Sequence, residues 1–113
     1  MNSIEQNQPC EDQCPVKITA DIIGNKWTTL VIRELLTGKK RYSEIQKALA
    51  GISPKMLTAR LRLLESRKLV TRTAFPTIPP TTEYELTATG RKLEKVLGEM
   101  AIFGNELKKL DQD

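Results

Sequence analysis

The stretch from Gly51 to Arg72, GISPKMLTARLRLLESRKLVTR, constrains the fold more than any other part of the chain. It reads as a turn, a capped basic helix and the first strand of a hairpin. Ser53 suits an N-cap, and Pro54 suits the first helical position, where its missing N–H has no partner to lose. Leu57, Leu61 and Leu64 recur at helical spacing and predict one buried stripe. Lys55, Thr58, Ala59 and Arg62 project to the opposite side. An apolar back behind a small, polar, cationic front is what a helix needs to enter a DNA major groove.

The charge distribution points the same way. Between Lys39 and Phe75 ten basic residues face two acidic ones, Glu44 and Glu65, so that segment carries +8 while the chain as a whole carries +4. The remaining residues therefore sum to −4, and a basic middle between acidic ends is the footprint of a phosphate-binding face. The plainer reading, a solvated charged surface, is weakened by the clustering within one helix-turn-helix pattern. A length of 113 residues suits one domain with a limited core, for which oligomerisation is a natural source of stability.

A pass along the chain predicts five helices and a hairpin. Residues 1–13 read as a flexible arm and residues 14–113 as one domain. The first helix should start at Cys14-Pro15 and reach Ile23, with Ile18 and Ile22 on one face and Gly24-Asn25 as the breaker. The second runs from Lys26 to Leu36, with Trp27, Leu30, Val31 and Leu35 as its apolar side. The third starts near Ser43, buries Ile45 and Leu49, and shows a capping-box pattern in Ser43 and Gln46. After the basic helix, Leu69–Phe75 and Thr82–Thr87 read as paired strands around the stiff loop Pro76-Thr77-Ile78-Pro79-Pro80. Thr87 can cap a last helix that should fray after Leu110. Three helices followed by a hairpin give a mainly α (α+β) winged helix-turn-helix with a two-stranded wing.

The N-terminus is polar and lacks an apolar signal core, and no run is long enough to span a bilayer, so a cytoplasmic protein without membrane contact is expected. Two cysteines, Cys10 and Cys14, do not make a secreted disulfide framework. There is no histidine, and a C-x3-C pair supplies only two soft ligands, so neither a metal nor a cofactor is expected. Without histidine a Ser–His or Cys–His dyad is impossible, and no glycine-rich nucleotide loop precedes a helix. The residues therefore argue against an enzyme. The competing reading is a winged-helix protein-interaction module, which would present a neutral or apolar face where this chain has Lys55, Arg60 and Arg62.

Taken together, these residues resemble the HxlR-type branch of the MarR-like winged-helix transcription regulators. The resemblance lies in CPV at Cys14–Val16, IIGNKWTTLVIRELLTGKKRYSEI at Ile22–Ile45, the Gly51–Arg72 stretch, and FPTIPPTTEYELTATGR at Phe75–Arg91. It covers nearly everything after residue 13. It implies a dimeric bacterial regulator that binds an inverted-repeat operator in double-stranded DNA, often beside a divergently transcribed gene. Some members of that family answer quinones, aldehydes, hypochlorite or other electrophiles through the cysteine before the proline, which here is Cys14. One departure concerns the wing: the family often has a basic residue after the double proline, and this chain has Thr81. That leaves Arg72 and the loop backbone as the expected wing contacts.

The candidate DNA-facing residues divide by chemistry. Ser53, Lys55, Thr58, Ala59 and Arg62 stand at or near the leading face of the basic helix. Arg62 can read guanine or clamp a phosphate, and the Thr58 methyl suits a thymine methyl. Arg60 is rotated to the flank, where a phosphate is the expected partner. For both arginines the alternative is a surface ion pair, for instance with Glu65. Arg41, Tyr42 and Ser43 stand at the entrance of the third helix and can hold a phosphate, although N-capping alone would account for Ser43.

The chain ends are the expected dimer surface. The last helix carries Leu93, Val96, Leu97, Met100, Phe103, Leu107 and Leu110 over about six turns, more than one small domain can cover. Gly98 and Gly104 would allow a second helix to approach, or reflect drift alone. Ile18 and Ile22 offer the matching face on the first helix. Cys14 falls at that helix's N-cap, where the dipole and free amides favour negative charge. Lys17 adds to this, and Glu11 and Asp12 oppose it. Cys14 is thus either a redox-sensing thiol, with Cys10 as its resolving partner, or a small apolar cap.

Overall fold

The computed structural model describes residues 13–112. In chain order these form α1 (Pro15–Ile23), α2 (Lys26–Leu35), β1 (Lys40–Arg41), α3 (Tyr42–Ala48), α4 (Pro54–Ser66), β2 (Val70–Phe75), β3 (Thr81–Leu86), α5 (Ala88–Arg91) and α6 (Leu93–Gln112). The helix starts follow from local chemistry. Asn25 accepts from the backbone N–H groups of Trp27 (2.9 Å) and Thr28 (3.2 Å), and Ser53 accepts from that of Met56 (3.0 Å). Each cap satisfies donors that a helix N-terminus leaves free. Cys14 holds the N-cap of α1 with Pro15 behind it.

Helix α4 ends in a two-bond lock. Leu69 N–H donates to Leu64 O and Lys68 N–H to Glu65 O, both at 3.0 Å, with Lys68 in the left-handed region at φ 61°. This is the Schellman pattern, which usually recruits glycine at the left-handed position. It turns the chain sharply, so that β2 begins directly after the helix. Thr87 then fastens the foot of the hairpin to that turn. Its hydroxyl donates to Lys68 O (2.9 Å) and accepts from Gly90 N–H (3.0 Å), while its own N–H donates to Leu69 O (2.9 Å). The wing is thereby held in a fixed relation to α4.

The core lies between α2, α3, α4 and the sheet. Val31, Ile32 and Leu35 of α2, Ile45 of α3, and Leu57, Leu61 and Leu64 of α4 are essentially inaccessible. Leu69, Val70, Tyr84 and Leu86 close it from the hairpin side. The predicted leucine stripe of α4 is thus fully buried. On α2, Val31 and Leu35 are buried as expected and Trp27 and Leu30 pack at the margin. Ile32 and Thr28 are also buried, which the sequence pattern did not single out.

The two-stranded wing forms as expected, and three expectations about helices need correction. The sheet gains a third strand: β1 pairs antiparallel with β3 (Lys40 opposite Tyr84, Arg41 opposite Glu83), giving the order β1-β3-β2. A two-residue strand is too short to leave a periodic signal. The third helix is capped at Arg41 rather than Ser43, and the acid that reaches back is Glu44, whose Oε1 accepts from Arg41 N–H at 2.7 Å. Pairing with β3 keeps Arg41 extended, and a carboxylate in the first turn also suits the helix dipole better than Gln46 would. The last helix begins as a separate turn, α5, because Lys92 N–H bonds three residues back to Thr89 O. Finally, α6 continues to Gln112, past the fraying point expected after Leu110.

Candidate nucleic-acid interface

Helix α4 exposes Lys55, Ala59 and Arg62 on the side opposite its buried leucines, and Thr58 stands half-buried at their edge. Ser53 is exposed, but its hydroxyl oxygen is engaged as the N-cap. Arg60 lies apart from this group. It is half-buried on the flank, and its Nε is covered without a hydrogen-bond partner among the described residues. The stem of Arg60 therefore packs against the protein, which leaves the outer guanidinium nitrogens as its contribution to any contact.

Two clefts lie beside the wing, one against α4 and one against α3. In the first, of about 380 Å3, Thr58, Arg62 and Glu65 of α4 face Arg72 and Tyr84 of the wing. This cleft joins Arg72, a strand residue, to Arg62, a helix residue, across the foot of the hairpin. Glu65 enters the same space, yet among the described residues the ion pairs are Lys17–Asp21 (3.2 Å) and Arg33–Glu34 (3.7 Å), and neither Arg60 nor Arg62 is paired. The second cleft, of about 210 Å3, places Arg41, Tyr42 and Ser43 at the start of α3 against Pro80, Thr81 and Thr82 of the wing. Arg41 and Ser43 are exposed there.

Tyr42, expected to meet a phosphate, also makes contacts within the chain. Its hydroxyl lies 3.1 Å from Pro54 O and 3.2 Å from Thr58 Oγ1. It therefore links the first turn of α3 to the first turns of α4. The spacing of Tyr42 and Thr58 in sequence, sixteen residues with a turn between, gives no periodic sign of this contact.

The terminal helices divide the expected dimer residues into two groups. Ile22 is buried in the core of its own chain, and Leu93 and Leu97 pack half-buried against that core. Ile18, Met100, Phe103 and Leu107 are exposed, as is Leu110, and no residue of α6 is fully buried. A Cβ added at Gly98 or Gly104 would meet open space. Cys14 is a free, half-buried thiol at the N-cap of α1, where its side chain makes no capping hydrogen bond. Lys17, expected to favour negative charge at Cys14, instead pairs with Asp21 on the next turn. Cys10 lies outside the described residues. Among the described residues no cluster of three metal-ligating side chains occurs, and no helix is long and apolar enough to cross a membrane.

Comparison with known proteins agrees with this geometry. A family model described as HxlR-like helix-turn-helix matches residues 22–112. The uncharacterized HTH-type transcriptional regulator sll1512 of Synechocystis is 44% identical over 93 residues, covering 82% of this chain and 69% of that protein. Among solved structures, a protein of Porphyromonas gingivalis W83 assigned to the MarR family of transcriptional regulators superposes with a TM-score of 0.80 at 35% identity, covering 93% of this chain and 98% of the other. The redox regulator HypR in its reduced form superposes with a TM-score of 0.79 at 36% identity, covering 87% and 97%.

Proposed function

The chain belongs to the HxlR-like helix-turn-helix family, and from that premise we propose that it is a cytoplasmic, sequence-specific regulator of transcription that binds double-stranded DNA as a homodimer. One observation carries the reading: Lys55, Ala59 and Arg62 stand free on the outer face of a helix whose inner face is completely buried. The first turns of such a helix reach base edges in the major groove, while cations at its margins neutralise phosphates. Arg41 and Ser43 at the start of α3 are placed to meet one backbone strand, and Arg72 on the wing another. A two-fold dimer sets its two α4 helices about one DNA turn apart, so the operator is an inverted repeat. The protein-interaction alternative is not favoured, because the exposed front of α4 is cationic rather than apolar.

A second proposal concerns Cys14. The likeness to HypR, a redox regulator, supports a thiol switch at this position, and Cys14 is a free thiol at the start of the helix expected to meet the partner subunit. Oxidation there, with Cys10 of either subunit as the resolving thiol, would alter the dimer and hence the spacing of the two α4 helices.

Fluorescence-anisotropy titration of DNA from upstream of the protein's own gene tests both. It is run at fixed salt against an unrelated duplex, with reduced and diamide-treated protein. Specific binding that changes on oxidation, and no longer changes in Cys14→Ser, supports both proposals. Specific binding indifferent to diamide removes the switch alone. Equal binding to every duplex, there and in a selection from random DNA, removes the regulator.

A further inference from the structure

Two acidic residues, Glu44 and Glu65, stand within the strongly basic segment from Lys39 to Phe75. Local structure explains the first, since Glu44 Oε1 accepts from Arg41 N–H at 2.7 Å and closes the start of α3. Glu65 has no such task. Its backbone carbonyl serves the turn after α4, but its exposed carboxylate belongs to neither of the ion pairs among the described residues. A solvated glutamate on a helix is ordinary. On a surface that meets phosphates, however, a carboxylate opposes binding, and the surroundings of this one give it a use.

Glu65 lines the cleft of about 380 Å3 between α4 and the wing, with Thr58 and Arg62 of its own helix and Arg72 and Tyr84 of the hairpin. It follows Arg62 by three residues, so the two side chains are neighbours on adjacent turns. The walls of the cleft are fixed. Leu57, Leu61 and Leu64 anchor α4 in the core, Tyr84 is buried, and Arg72 lies opposite Tyr84 in the ladder. One carboxylate and two guanidinium groups thus share a space whose width the fold sets, and both arginines are ones assigned to DNA.

A guanidinium has five N–H donors in a planar fork. A bidentate contact to guanine O6 and N7 uses two of them and leaves others for a carboxylate, which then fixes the plane of the group. A phosphate is different, because it carries the same charge as Glu65 and competes with it for the arginine. Resting on the DNA-binding reading above, we propose that Glu65 is a specificity-determining residue that acts through Arg62 and Arg72. On the operator it orients the Arg62 guanidinium towards a guanine edge. On any other duplex it withholds both arginines from the phosphates, so that a site without the guanine is bound weakly.

The test compares the full wild-type chain with Glu65→Gln, on a duplex enriched from random DNA by the wild type and on a scrambled copy, over a range of salt. The substitution is isosteric and exposed, and should leave the melting temperature and sedimentation unchanged. Glu65→Gln should bind the scrambled duplex about fivefold more tightly, with a salt slope steeper by about one. It should bind the enriched duplex no more tightly than the wild type does, and a selection with the variant should lose a guanine from each half-site. In an Arg62→Ala background the same substitution should raise affinity for both duplexes alike, because no base contact remains to be oriented. An equal rise on both duplexes with Arg62 present would mark Glu65 as a bystander charge and overturn the inference, as would no change on either. The DNA-binding reading survives both of those results. A wild-type chain that enriches no sequence at all would bring down that reading and this inference with it.

Discussion

The Tyr42 hydroxyl sits between Pro54 O and Thr58 Oγ1, at 3.1 and 3.2 Å, and so joins the two helices of the helix-turn-helix. A phenol has one proton. If it donates to the carbonyl, which can only accept, the Thr58 hydroxyl must be the donor to Tyr42. Thr58 is then left with its lone pairs and its methyl for DNA, and so reads an exocyclic amino group or a thymine methyl. Tyr42→Phe should lower stability by about 1 kcal/mol, the usual worth of such a bond, measurable by urea unfolding. It should also free the Thr58 proton, and selections from random DNA with the variant should show a changed base preference at one position of each half-site. An identical selected sequence would remove Thr58 from base readout.

Arg62 and Arg41 should differ in kind. Arg62 stands free on the front of α4, and Arg62→Ala should weaken binding to the operator by about 1–3 kcal/mol while relaxing specificity at one position. Arg41, at the start of α3, is placed for the backbone. Arg41→Ala should weaken all duplexes alike and reduce the salt slope by about one. Titrations at four salt concentrations separate the two. A reduced slope with intact specificity for Arg62→Ala would reassign it to a phosphate.

Much of this was legible in the residues because it is periodic or local. The Leu57, Leu61, Leu64 stripe, the Ser53 and Asn25 boundaries and the proline-rich wing loop all follow from spacing within a few residues. What escaped depends on contacts between distant segments. The β1 strand exists because Lys40 and Arg41 meet Tyr84 and Glu83, over forty residues away. That pairing then moves the cap of α3 from Ser43 to Arg41. The Tyr42 clamp, the flank packing of Arg60 and the entry of Glu65 into the Arg62–Arg72 cleft are of the same kind. The exposed apolar residues of α6 were visible, but their division into core-packed Leu93 and Leu97 and free Met100, Phe103 and Leu107 required the position of α2.

Gly90 tests how the wing is held to α4. A Cβ at this position would collide with Leu69 O, the carbonyl that also accepts from Thr87 N–H, and would press on Leu86 Cδ2 at 3.0 Å. Backbone cannot yield as a flexible side chain can. Gly90→Ala should therefore destabilise the domain by about 1–3 kcal/mol, as overpacking does elsewhere, despite alanine's better helix propensity. Thermal unfolding compared with Gly98→Ala provides the control, since Gly98 faces open space and that change should leave stability unchanged or raise it by up to about 1 kcal/mol. Equal melting temperatures for the two variants would mean that α5 is not pinned to the hairpin as described.

The free half of α6 makes the sharpest demand on the assembly. Phe103 is 63% exposed, on the same stripe as Met100 and Leu107 and beyond the last core contact of the helix at Leu97. Water on such a stripe is unfavourable at roughly 25 cal/mol per Å2 of apolar area, and an aromatic ring is the largest single contributor. A second copy of α6 crossing near Gly104, where no side chain intervenes, would cover it. Phe103→Asp places a charge in that contact without touching the core of its own chain. The variant should keep the circular dichroism spectrum and become a monomer at micromolar concentration in sedimentation velocity. It should then bind a single half-site as the wild type does, and lose the gain in affinity that two linked half-sites provide. A Phe103→Asp protein that remains dimeric would place the subunit contact elsewhere and leave the α6 stripe unexplained.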